Sequence, residues 1–345
     1  MATKKYASLT HRDGGELKVK RLTLEQAEES LISDLKTRTK RLHSKQLAAM
    51  NRGKVGRPFI FSRDVVLLAA ILLYLRCLSY RRLCTELYLI AEIRASKSML
   101  HERIVALEID IDVKGFLEKR ILDCSTDATG FKPTNKGLWR VILHEDGKVR
   151  QKNGYAKLAI INDTKTLSIL SAQIGDAQTA DITLFKPSLE QARSRHRINV
   201  LYGDGAYDAY EVYSNCQQAK IVPVMKPRSY SVVHYDRRTM LPRDLRSRYV
   251  SFIKNFGYEK WSKRVEYGRR WTSEIVFSKF KRLFGEIVKS KKEENTPKEF
   301  TAKVWIYNML VALQHGFAGS CQLLAICRTA YCILPLAKCF ILIFP

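Results

Sequence analysis

Near residue 119 the apolar pattern of this chain changes period, and that change limits the folds open to it. Before it, apolar residues recur at helical spacing. After it they form short runs of the kind that strands make. Residues 121–127, 138–143, 155–161 and 166–174 read as strands, the last two joined by a polar turn at 162–165. A helix follows over about 181–193, then a short buried strand at 199–203, a helix near 209–218 and a strand at 221–225. Three or four adjacent strands followed by alternating helix and strand predict an α/β fold. Its sheet is mixed, with the antiparallel part first.

The part before 119 is helical and basic. Residues 1–22 are polar and without pattern, as in a tail. Thr23 and Gln26 have capping-box spacing and open a helix with Leu24, Ala27, Leu31, Ile32 and Leu35 as its stripe. Residues 36–57 hold eight Lys or Arg and no acid, and run into Gly-Lys-Val-Gly-Arg-Pro at 53–58. A Gly-Arg-Pro core with Arg57 can lie in an A·T-rich minor groove, or the stretch is a basic linker. Three helical patterns lie between 62 and 107, opened by Ser62, by Ser79 and by Ser96 or Ser98. The third has Met99, Ile104 and Leu107 as apolar contacts, with Lys97, His101 and Arg103 off that stripe. This suits a helix-turn-helix module that offers Lys97 and Arg103 to DNA, or a plain helical bundle.

The charge narrows the partners. The 345 residues carry a net charge of +26 and a pI near 9.8, more than a neutral substrate requires. A polyanion is expected, nucleic acid first and an anionic membrane second. The eight cysteines form no C-x2-C pair and lack finger-like His spacing, which argues against structural zinc. Scattered cysteines and a polar N-terminus fit the cytoplasm. The apolar run at 68–75 is too short to span a bilayer. The tail at 317–345 is apolar and Cys-rich but broken by Arg328, Pro335 and Lys338. It reads as a packed helical hairpin or as sequence without a part in the enzyme.

Residues 267–284 carry the strongest chemical signal. On a helix, Tyr267, Arg270, Glu274 and Lys281 fall within an arc of roughly 60°, with Val276, Phe280, Leu283 and Ile287 on the opposite side. Asp127 and Asp204 each follow a short apolar run, so neighbouring strand ends can bring them together with Glu274. Three carboxylates make a hard oxygen site for Mg²⁺ or Mn²⁺, and two such ions suit phosphodiester displacement. Arg270 and Lys281 can bind phosphates or steer the carboxylate, and Tyr267 can hydrogen-bond a phosphate. Trp261 or Trp271 can stack on an unpaired base or fill the core. Asp123, Asp163, Asp176, Asp181 and Asp208 compete for the acidic positions as turn or cap residues. Residues 226–263, with Pro227, Pro242 and many Arg, read as an irregular basic insertion. Thr296-Pro-Lys-Glu299 reads as a capping box that opens an apolar helix to about 315.

Tyr267, Arg270, Glu274 and Lys281 meet the signature Tyr-x2-Arg-x3-Glu-x6-Lys at every spacing. Asp127-Ala-Thr-Gly and Asp204-Gly-Ala-Tyr-Asp208 resemble the two acidic motifs that precede it. Over roughly 57–315 the chain thus resembles DDE-type insertion-sequence transposases with an RNase H-like core. The resemblance implies Asp127, Asp204 and Glu274 as a triad for two Mg²⁺ or Mn²⁺ ions, and an insertion before the Glu. It implies a basic arm at 1–57, a DNA-binding module at 58–118 and a catalytic domain at 119–316 with its insertion at about 226–263. The expected activity is cleavage of double-stranded DNA at terminal inverted repeats and strand transfer into target DNA. A homodimer in a synaptic complex, a nucleoid-associated location and no membrane go with it. The rivals are a non-catalytic, sequence-specific DNA-binding regulator and an RNase H-like nuclease acting on RNA–DNA hybrid.

Overall fold

Thr23 opens the first helix as its spacing requires: its hydroxyl accepts the Gln26 N–H while the Gln26 side chain accepts the Thr23 N–H. The computed structural model describes residues 22–113, 116–117, 120–133 and 155–317, with the backbone of four short strands at 12–13, 16–17, 140–143 and 149–152. The tail expected to form a hairpin lies outside the described residues from 318 on, as does most of 1–21. Two compact units result, one up to Phe116 with residues from Asn308, the other Leu117–Tyr307. No described helix is long and apolar enough to cross a membrane.

The first unit holds α1 (Leu24–Asn51), α2 (Arg63–Leu75), α3 (Tyr80–Ala91) and α4 (Lys97–Val105). α1 is longer than its stripe suggests, because the basic stretch expected to follow it is helical to Asn51. α2 is apolar all round and buried from Asp64 to Tyr74, the centre about which the others pack. Leu83 and Leu87 of α3, and Leu100 and Ile104 of α4, complete the core. Leu100 takes the place expected of Met99. Ser79 and Ser96 cap as their positions suggest. Ser62 does not, because its hydroxyl pairs with His43 Nδ1 at 2.9 Å.

The second unit is built on a mixed sheet. Its strands are β1 (Ile121–Pro133), β2 (Ala156–Asp163), β3 (Ile169–Asp176), β4 (Arg197–Gly203) and β5 (Val222–Met225). The spatial order is β3-β2-β1-β4-β5. The first three run antiparallel, and β4 and β5 run parallel to β1. α5 (Asp181–Arg193) connects β3 to β4 and α6 (Tyr210–Gln218) connects β4 to β5. This is the RNase H-like arrangement, with the antiparallel part first as the period change predicts. The strand expected over 138–143 forms a separate pair, Arg140–Leu143 with Val149–Lys152.

After β5 the chain differs from expectation. The basic insertion is not irregular throughout: it contains α7 (Leu245–Phe256) and α8 (Tyr258–Arg264). Then come α9 (Trp271–Phe284), the short β6 (Ile287–Val288), which runs parallel to the end of β1, and α10 (Thr296–Gln314). α9 ends before Ile287 because Gly285 takes a positive φ of 73°. The helix therefore buries Ser273, Val276, Phe277, Phe280 and Phe284, and Ile287 lies off it, exposed. The box expected at Thr296 is also not made. Glu299 instead accepts the Lys289 and Ser290 N–H groups and pairs with Lys303 inside the fold. Burial alone would raise its carboxyl pKa, but Lys303 and these amides hold it below the usual range.

α9 is pressed on the sheet through an aromatic cluster. Phe131 of β1 meets Phe280 at 5.9 Å and Phe300 of α10 at 5.0 Å between centroids, and Phe280 is fully buried. Phe280→Ala is expected to cost about 3–5 kcal/mol of stability, read by urea unfolding. A cost under about 1 kcal/mol would show that this face is not closely packed.

Candidate active site

The register of two strands sets the first two acids. β1 and β4 pair in parallel up to Ser125 opposite Tyr202, so two residues further along each strand Asp127 and Asp204 stand level. Asp127 is not at a strand end as its sequence suggests, because β1 continues to Pro133, pairing with β2 (Asp127 opposite Ile160). Asp204 does end its strand. Its Oδ1 accepts the Ala206 N–H at 2.8 Å and starts a short 3₁₀ turn, Gly205–Tyr207. The residue before it, Gly203, is glycine, and a Cβ there would come 2.5 Å from Met225 Sδ and 3.2 Å from Thr126 Cγ2, so the Met225 side chain would have to move.

Glu274 arrives on the first turn of α9, and a half-buried polar contact beside it fixes that turn. Ser125 lies two residues before Asp127 and so on the same face of β1. Its hydroxyl meets Asn162 Oδ1 of β2 at 2.9 Å and Thr272 Oγ1 of α9 at 2.7 Å. Asn162 Nδ2 reaches the same Thr272 oxygen at 3.4 Å. The start of α9 is thus tied to the two strands beside Asp127. Tyr267 does not lie on α9 but in the 3₁₀ turn ahead of it, Tyr267–Arg270, and is buried. Its hydroxyl donates to Gly203 O at 3.1 Å, next to Asp204, so its proton is directed inward and not to solvent.

Each acid has one oxygen held and one open. Asp127 Oδ1 accepts the Ala128 N–H at 2.8 Å, Asp204 Oδ1 that of Ala206, and Glu274 Oε1 the Arg270 Nη2 at 2.8 Å. Among the described residues, the second oxygen of each has no hydrogen-bond partner. Burial pushes the Asp127 carboxyl up to about 6. The Ala128 N–H and Arg270 oppose this, while the negative charges of Asp204 and Glu274 add to it. The arrangement is open: as placed, no three His, Cys, Asp or Glu side chains among the described residues lie close enough to hold a metal ion. The donor set fits a hard divalent cation all the same. It is all carboxylate oxygen, it has free lone pairs, and its negative charge exceeds what Arg270 offsets.

The competing acids have local partners. Asp123 pairs with Arg269 at 2.5 Å, and Asp181 with Lys157 at 2.8 Å. Asp163 holds the turn at Thr166, Asp176 the turn at Thr179, and Asp208 is buried against Arg246. The remaining expected contacts divide. Arg270 packs over the ring of the exposed Trp271 at 5.0 Å, whereas Trp261 is core beside Tyr202, Val224 and Tyr267. Lys281 lies over the Phe131 ring at 5.4 Å, four residues along β1 from Asp127 and on the same strand face.

In the first unit, Lys97 is exposed at the start of α4. Arg103 is not free on the helix surface, since its guanidinium sits over Phe59 at 4.5 Å. Arg57 is exposed in a loop that is held in place and not a loose linker. Asn51 bonds both the N–H and the carbonyl of Phe59, at 2.7 and 2.8 Å.

Sequence reading missed Ser125, Asn162 and Thr272, which touch nothing charged and carry no motif. It also missed Arg228 and Arg246, which were lost among the many Arg of the insertion.

A family model described as a transposase DDE domain matches residues 118–309. Solved structures similar to the chain include a piggyBac transposase synaptic complex with hairpin DNA. It is 10% identical over 85% of this chain and 75% of that one, with a TM-score of 0.41. The Drosophila P element transposase strand transfer complex is 9% identical over 83% and 86%, with a TM-score of 0.31. The Mos1 mariner paired end complex with Mn is 10% identical over 94% and 83%, with a TM-score of 0.20. Comparison with curated proteins finds no match.

The raised Asp127 pKa has a consequence for stability. Between the ordinary carboxylate value of 3.8 and about 6 the folded state binds the extra proton, so stability falls as pH rises through that window. Above it the cost is fully present. Asp127→Asn is therefore expected to stabilise the metal-free protein by about 1–3 kcal/mol at pH 7.5, with the gain shrinking toward zero as pH approaches 4. Thermal melts at the two pH values check this. A destabilised variant at pH 7.5 would contradict the account of the charge.

Proposed function

Because the chain belongs to the transposase DDE-domain family, we propose that it cuts and rejoins DNA at the ends of an insertion sequence with Asp127, Asp204 and Glu274 as its catalytic acids. The observation that carries this is a set of three carboxylates, each with an open oxygen, near enough that Asp127 feels the charges of both Asp204 and Glu274, though as placed they are too far apart to hold one ion. These three would hold Mg²⁺ or Mn²⁺. When bound, two such ions supply Lewis acidity to the attacking and leaving oxygens of an in-line displacement.

The chain's own residues do the rest. Water attacks the phosphodiester at the element's end, a P–O bond forms as another breaks, and a 3′-hydroxyl is freed. That hydroxyl then attacks a target phosphodiester and displaces the target's own 3′-oxygen. Arg270 holds Glu274 by one oxygen and so aims the other. Tyr267 acts by positioning, through Gly203, on the strand end that carries Asp204. The cation of Lys281 meets the DNA backbone. Trp271, exposed beside Arg270, offers a stacking face to an unpaired base near the cut. Lys97 and Arg57 of the helical unit bind the inverted repeats, Arg57 from its fixed loop, and a chain of net charge +26 suits double-stranded DNA throughout. Two copies bring two ends together in a synaptic complex.

The test is cleavage of a duplex carrying the inverted repeats that flank the gene, in the presence of Mg²⁺. Glu274→Gln is expected to lower cleavage by about 100-fold or more while binding the duplex with unchanged salt dependence. Equal cleavage by both proteins would sink the triad. Binding without cleavage by the wild type at any Mg²⁺ or Mn²⁺ concentration would favour a regulator.

A further inference from the structure

The turn that carries Asp204 is held from outside the sheet. Arg228 follows β5 by three residues and is exposed. Its guanidinium nevertheless points back at the turn: Nε donates to Gly205 O at 3.0 Å and Nη2 to Ala206 O at 3.4 Å. The first of these carbonyls shares its peptide group with the Ala206 N–H that fixes Asp204 Oδ1, and the second follows it. Nη1 donates to the Tyr230 hydroxyl at 2.9 Å, which leaves the fork little freedom.

A buried acid sets the position of Arg228. The Arg228 backbone N–H donates to Asp208 Oδ2 at 3.0 Å. Asp208 is fully buried and takes both prongs of Arg246 on α7, at 2.6 and 2.8 Å, with the Ser231 hydroxyl also on Oδ2 at 3.0 Å. Arg246 further donates to Ser231 Oγ at 2.8 Å and lies over the Tyr210 ring at 5.0 Å. One carboxylate thus joins the Asp204 turn, the exit from β5 and the first turn of α7. A single charge in this position needs a full set of partners, and it has them.

We infer that Arg228 is a positioning residue for Asp204, and that the Asp208–Arg246 pair sets it, so that the basic insertion determines the orientation of the second acid. The inference rests on the proposed role of Asp204. Arg228 acts through geometry: two donors at fixed spacing meet two successive carbonyls, which a lysine ammonium cannot reproduce. A phosphate contact by the same residue would depend chiefly on charge, and lysine would largely preserve it.

The experiment uses the full chain with the same duplex and compares wild type, Arg228→Lys, Arg228→Gln and Arg246→Lys. Melting curves establish that each is folded, and because Arg228 is exposed its variants are expected to melt close to wild type. Both Arg228 variants are expected to lower kcat and raise the half-saturating Mg²⁺ concentration by about 10-fold or more, with KM for the duplex within about twofold. Arg246→Lys should shift the same two quantities. Calorimetric titration with Mn²⁺ in the absence of DNA should show weakened binding in the same variants. Rescue by Arg228→Lys, or a rise confined to KM for the duplex, would overturn the positioning role. If Glu274→Gln is inactive while Arg228→Lys behaves as wild type, this inference fails alone. If Glu274→Gln cleaves normally, the triad fails and the inference with it.

Discussion

The contact between Ser125 and Thr272 is small, but the site depends on it. The two hydroxyls meet at 2.7 Å, half-buried at the edge of the core, with Asn162 completing the set. Ser125 Oγ also donates to Asn162 Oδ1 and Thr272 Oγ1 to Arg269 O, so the contact links two local hydrogen bonds into one network across strand and helix. Two residues beyond Ser125 is Asp127, and two beyond Thr272 is Glu274. The same strand, through its parallel pairing with β4, fixes Asp204 level with Asp127. Apolar burial presses α9 to the sheet through Phe280 and Val276 without regard to direction, and the polar contact chooses the rotation.

The charges gathered there do not balance. Asp127 is partly buried and feels Asp204 and Glu274, with Arg270 as the nearby counter-charge. Elsewhere in the same unit Asp208 is paired with Arg246, Glu299 with Lys303 and Asp123 with Arg269. A site of this kind costs stability in the absence of a cation, which is what a cation-binding site is expected to do.

Much of this was legible in the chain, for identifiable reasons. The period change near 119 gave the order of elements because strands and helices bury apolar residues at different spacings. Tyr267, Arg270, Glu274 and Lys281 stood out by spacing, and Asp127 and Asp204 by following apolar runs. What sequence could not supply was direction. Tyr267 reads as a surface residue on a continuous helix, but a 3₁₀ turn ahead of α9 rotates it into the core beside Trp261 and onto Gly203 O. Arg103 reads as a free cation, but Phe59 lies under it. Glu299 has capping-box spacing, yet the backbone N–H groups of Lys289 and Ser290 compete for it and win. The insertion reads as irregular because its Arg residues mask the spacing of Val250 and Trp261, which α7 and α8 bury.

The central claim is that Asp127, Asp204 and Glu274 act together as one divalent-cation site. Iron-directed backbone cleavage tests it most directly: Fe²⁺ is bound in place of Mg²⁺, and ascorbate with peroxide generates hydroxyl radicals at the bound ion. The account predicts scission clustered near 127, 204 and 274, suppressed by excess Mg²⁺ and absent in Glu274→Gln. Cuts elsewhere in the chain, or the same cuts in Glu274→Gln, would contradict it.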